Sequence, residues 1–134
     1  MMEFSFTAPT LLEPDADTDA ILATSDVAYN APRETLQRLA KIKKFVVWLK
    51  AAMEKAGLQV KKGLLLDGEG GGWFFEVASN EGFVMCIVSN LDGDGTRISL
   101  LVTEMGGAAE GVDRAIEALL KGSSEIAELK VDTS

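Results

Sequence analysis

Trp73-Phe-Phe-Glu-Val-Ala-Ser79, then Asn80-Glu-Gly82, then Phe83-Val-Met-Cys-Ile-Val-Ser-Asn90: the reading of this stretch decides the fold. Aromatic and β-branched residues crowd both flanks, where a pleated backbone gives them room to pack. The triplet between them has hairpin-turn chemistry, because Asn and Gly accept backbone angles that other residues resist. Two antiparallel strands joined by a tight turn are the expectation. In the second strand Phe83, Met85 and Ile87 point one way and Val84, Cys86 and Val88 the other. Both sets are apolar, so the strand reads as central and covered on both faces.

Outward from this hairpin, Gly68–Gly72 links back to a strand over Leu58–Leu66, and Asp92-Gly-Asp-Gly95 links forward to one over Thr96–Thr103. Links this short favour an antiparallel meander. Phe74 and Leu101 are expected on the same face as Val84 and Val88.

Residues 32–56 carry the strongest helical signal. Leu36, Leu39, Ile42, Val46, Leu49 and Met53 recur at three- and four-residue steps, one stripe of a helix. Asn30 can cap it, Pro32 suits its first turn and Gly57 its end. Its middle, Phe45 to Leu49, is apolar all round, so Val47 and Trp48 are expected to touch something beyond a single core. A second amphipathic helix is expected over 109–121, followed by a turn or short helix over 123–130 and a loose tail after Lys130. Met2, Phe4 and Phe6 alternate with polar residues, which makes 2–7 a candidate fifth strand. Residues 8–31 read as an extended arm with one helical turn near Asp17–Ala23. The fold class is α+β in one domain: long N-terminal helix, four-stranded antiparallel meander, one or two C-terminal helices.

Length allows one domain with a real core: the chain has 134 residues, of which 47% are hydrophobic and 25% charged. The formal net charge is −8, but it is unevenly spread. Residues 1–32 hold −6, residues 33–62 hold +7 and residues 63–134 hold −9. A basic helix therefore sits between two acidic segments. The acidic remainder weakens any attraction to nucleic acid or an anionic membrane, so neither is expected as a partner. No run of ~20 apolar residues is present, and with Arg33 as the first positive side chain a basic-headed secretory leader is not expected. A cytoplasmic location is expected.

Several chemistries are excluded by composition. Histidine is absent and Cys86 is the one cysteine. That removes Ser-His-Asp and Cys-His catalysis, imidazole metal ligands, an intrachain disulfide and ordinary thiolate zinc sites. Cys86 has no base near it in sequence and reads as a small buried hydrophobe. Gly68–Gly72 lacks the Lys-Ser/Thr ending of a phosphate loop and leads into a strand.

Carboxylates are what remains. Asn90, Asp92, Asp94 and Gly95 match the start of a calcium loop, but Leu101 stands where the bidentate Glu belongs. Asp15, Asp17, Asp19 and Asp26 begin another, with Ala20 in place of Gly. In a meander the first and third turns share one end of the sheet. Asp67 and Glu69 then lie near Asp92 and Asp94, as candidates for a divalent cation or an acid/base pair. A solvated acidic rim is the plainer account, and no cofactor is expected.

In size and element order this outline resembles the small acidic chaperones of bacterial type III secretion and the related small sensory-regulator proteins. The leading expectation is a non-enzymatic chaperone, adaptor or inhibitor that binds a protein partner or forms a homodimer. Its interface candidates are Phe74, Val84, Val88, Leu101, Val47 and Trp48. A carboxylate-dependent binder or enzyme at the acidic turns is the alternative, and an acidic mimic of nucleic acid is the third.

Overall fold

The computed structural model describes residues 2–12, 33–60, 65–67, 72–79, 82–90, 97–105 and 110–133. The chain runs through β1 (Met2–Thr7), a 3-10 turn (Pro9–Leu11), α1 (Arg33–Lys55), β2 (Leu65–Asp67), β3 (Gly72–Ser79), β4 (Gly82–Asn90), β5 (Arg97–Met105), α2 (Glu110–Lys121) and β6 (Ala127–Thr133). The fold is α+β, with one antiparallel six-stranded sheet in the order β2-β3-β4-β5-β1-β6.

The central hairpin pairs Trp73 with Val88, Phe75 with Cys86 and Val77 with Val84. Ser79 pairs with Gly82 at the end of the hairpin. On the other side, Cys86 pairs with Val102 and Val88 with Leu100; Leu100 in turn pairs with Phe4. Residues paired in register share a face. These therefore form one apolar surface across four strands, and every one of them is at most 1% exposed.

Both helices lie on that surface. Helix α1 buries Leu39, Ile42, Phe45, Val46, Leu49 and Met53 at 0% exposure. The Phe45 ring packs on Phe6 with centroids 5.2 Å apart. The Trp73 indole N–H donates to the Leu39 carbonyl at 2.9 Å in the core, tying β3 to the helix. Helix α2 adds Val112, Ile116 and Leu120. Gly57 closes α1: its φ is +94°, which lets Leu58 N–H reach the Met53 carbonyl at 3.0 Å and Gly57 N–H the Glu54 carbonyl at 3.1 Å. That is a Schellman closure, and a side chain at Gly57 would strain it.

Four expectations need correction. First, the helix is not the N-terminal element of the fold, and the sheet is more than a four-stranded meander. Strand β1 is an interior strand, between β5 and β6, because Phe4 and Phe6 complete the core face. Second, the C-terminus is not helical or loose. Ala127–Thr133 is a strand on β1, and only a turn precedes it at 122–125. Third, the expected strand Leu58–Leu66 does not begin at Leu58: residues 58–59 are outside any strand, Val60 makes an isolated bridge to Val77, the described strand is Leu65–Asp67, and 61–64 lie outside the described residues. Fourth, Phe74 and Leu101 do not share a face with Val84 and Val88. Phe74 and Leu101 both pair with Ile87, so register parity puts them on the opposite side. The turn expected near Asp17–Ala23, the rest of the arm at 13–31, and the caps Asn30 and Pro32 lie outside the described residues.

Candidate functional site

The sheet has two unlike faces. Under the helices, residues such as Phe75, Cys86 and Leu100 have no exposure. On the other face Phe74, Ala78, Phe83, Met85, Ile87 and Leu101 are half-buried. Phe74, Ile87 and Leu101 stand in one cross-strand row, which continues to Glu3 on β1 and Asp132 on β6. The row is thus apolar over β3, β4 and β5 and acidic over β1 and β6. Met85 and Phe83 extend the apolar part along β4. Among the described residues, no helix packs on this face; the contacts of α1 and α2 with the sheet lie on the other.

The polar part is internally bonded. The Ser99 hydroxyl donates to Glu3 Oε1 at 3.2 Å, and Ser99 is the one buried polar residue described, at 6% exposure. The Arg97 guanidinium donates to Ser5 Oγ at 3.1 Å and to the Glu128 carbonyl at 3.4 Å, and lies 3.6 Å from the Glu128 carboxylate. These contacts knit β5, β1 and β6 together. Next to them the row Phe74, Ile87 and Leu101 is apolar, while Glu76 and Thr103 flank Met85 in the adjacent row of the same face.

The interface candidates therefore separate. Phe74 and Leu101 belong to the open apolar row. Val84 and Val88 are at 0% exposure beneath the chain's own helices and offer no surface to a partner. Val47 is 49% exposed on the outer side of α1. Trp48 is half-buried, stacked on Phe45 with centroids 5.8 Å apart. The apolar middle of α1 is accounted for in this way: Phe45, Val46 and Leu49 face inward, Trp48 lies along the flank, and Val47 points out.

Residues that sequence reading passed over also matter. Ile87, Met85 and Phe83 carry the open face, and the β4 alternation already exposed them as a set. What the sequence lacked was the register that joins Phe74 and Leu101 to them.

The chemical candidates gain little. Asp67 ends β2 opposite Gly72; Glu69, Asp92 and Asp94 lie outside the described residues, as do Asp15, Asp17, Asp19 and Asp26. The register does bring the end of β2 and the end of β4 to the same end of the sheet. Among the described residues no three Asp, Glu or Cys side chains gather as metal ligands would. Cys86 is in the core. Burial, and secondly the Asp113 carboxylate on α2, push its thiol from 9.0 up to about 12, the reverse of what a nucleophilic thiolate requires. No helix among the described residues is long and apolar enough to cross a membrane.

No protein-family model matches the chain, and neither a curated protein nor a solved structure matches it.

Proposed function

We propose that this chain is a non-enzymatic protein-interaction module of the chaperone, adaptor or inhibitor kind. It works in the cytoplasm through the open face of its sheet, on a protein partner or a second copy of itself. The observation that supports the reading is the apolar row Phe74, Ile87 and Leu101, which keeps solvent exposure while the opposite face of the same strands has none. Contiguous apolar surface of this kind favours association, since burying it gains ~25 cal/mol per Å².

The test compares the wild-type chain with Leu101→Lys in sedimentation and in an affinity pull-down from its own cell lysate. Leu101 pairs with Glu3, so the lysine gains a cross-strand carboxylate and the sheet keeps its stability. Self-association or a retained protein in the wild type, lost in the variant, is the expected result. A monodisperse monomer that retains no protein overturns the reading.

A second reading keeps one observation in its favour. Asp67 stands at the sheet end that β2 and β4 share, and this reading adds Glu69, Asp92 and Asp94 from their places in the sequence alone, as a divalent-cation or small-molecule site would need. A ligand that binds only the folded chain raises its melting temperature. An unchanged melt in millimolar Ca²⁺ and Mg²⁺ removes the cation version.

A further inference from the structure

Strand β6 differs from the other strands in how it is held. Of its residues with described side chains, Ala127 to Asp132, none is buried; Leu129 alone packs partly against the core. Its neighbour β1 buries Phe4 and Phe6 completely. Strand β6 pairs with β1 alone, at the edge of the sheet. Val131 lies opposite Phe4 on the helix-bearing face, yet stays 37% exposed.

Two further features weaken the pairing. Glu3 and Asp132 are direct cross-strand partners, and like charges placed opposite each other destabilise a ladder. The register slips between Ser5 and Thr7, and at that bulge Glu128 has φ 53°. It is the one non-glycine residue described in the left-handed region, where a Cβ is strained. Polar contacts hold this end of the strand: Arg97 to the Glu128 carboxylate at 3.6 Å and to its carbonyl at 3.4 Å, and Thr7 Oγ1 to the Ala127 carbonyl at 3.4 Å. All are long, and Glu128 is well exposed, so each contributes little.

We propose that β6 is a releasable strap. It detaches from β1 as a unit while β3, β4, β5 and the two helices stay folded. Release takes no fully buried residue from its place and costs only the partial core contact of Leu129, and it relieves both the Glu3–Asp132 repulsion and the strained Glu128 backbone. What it uncovers is the outer backbone edge of β1, Met2–Thr7, whose N–H and C=O groups β6 otherwise satisfies. An edge of this kind accepts an added strand through main-chain hydrogen bonds. The hinge falls just after Ile126, which packs against the core and follows Glu125, whose carboxylate accepts from Thr10 Oγ1, so 122–126 stay anchored.

Native-state hydrogen exchange on the full chain tests this. The β6 amides should exchange at least about tenfold faster than those of β4 and β5, because local opening needs less free energy than global unfolding. Asp132→Lys replaces the repulsion opposite Glu3 with an attraction, and should slow β6 exchange about fivefold while β4 is unchanged. If β6 exchanges at the rate of β4, the strand opens only with the whole fold and the strap is refuted. An Asp132→Lys variant that slows β4 and β6 alike refutes it too, since that is the signature of one cooperative unit.

Discussion

Strand β4 shows two different surfaces to its surroundings. Val84, Cys86 and Val88 have no exposure, pressed between neighbouring strands and the helices. Phe83, Met85 and Ile87 alternate with them on the same backbone and remain half-buried. Hydrophobicity does not separate the two sets. What separates them is the side on which α1 and α2 lie. An apolar side chain in a strand records that something can cover it, and the tertiary structure decides whether the chain itself does.

The contrast is most directly broken by truncation. Phe75→Ala on the covered face should cost about 3–5 kcal/mol in a urea melt, by lost transfer energy and the cavity left behind. Ile87→Ala on the open face should cost no more than about 1 kcal/mol, because the residue is already partly solvated and its site can refill with water. Equal losses would mean that the open face is as tightly packed as the core, and the proposed interaction surface would go with it.

The link between β3 and α1 tests the covered face more finely. Trp73→Phe keeps an aromatic ring but deletes the donor that meets the Leu39 carbonyl at 2.9 Å. A loss of about 1–2 kcal/mol is expected, with the α1 helical signal in circular dichroism retained. An unchanged melt would show that the helix seats on shape alone.

Cys86 gives an effect confined to alkaline pH, with a definite sign. Its folded thiol is raised from 9.0 to about 12, so the folded state holds its proton after the unfolded chain has released it. This contribution is fully present below pH 9 and is lost as pH climbs toward 12, at no more than about 1.4 kcal/mol per pH unit. Cys86→Ala should flatten that part of the stability curve. A thiol-reactive dye at pH 8 should label the native protein no faster than the chain unfolds.

The sequence made the central part of this fold legible for a local reason. The strands β3, β4 and β5, and helices α1 and α2, each carry enough apolar residues at the right period to identify themselves. The two ends were harder. Strand β6 reads Ala-Glu-Leu-Lys-Val-Asp-Thr, with one half-buried leucine and alternating charge, a pattern that an edge strand and a frayed tail share. The expected strand at Leu58–Leu66 was misplaced at its start: Leu58 and Gln59 lie outside any strand, and among the described residues pairing with β3 is seen at Val60 opposite Val77 and at Leu65–Asp67 opposite Gly72–Phe74. The candidate site was half legible. Phe74 and Leu101 lie on the open face, but they were grouped with Val84 and Val88, and a one-residue difference in parity reverses the face.

By itself the sequence determined the α+β class of this protein, its helices α1 and α2 and central strands, and that it has no histidine and one cysteine. Composition and periodicity are properties of the chain alone, and they leave little freedom in those matters. Only the tertiary structure decided that β1 lies inside the sheet, that the C-terminus closes its edge, and that the helices gather on one side. Each of these is a pairing between residues distant along the chain, and such pairings follow from register and packing, which no local pattern encodes.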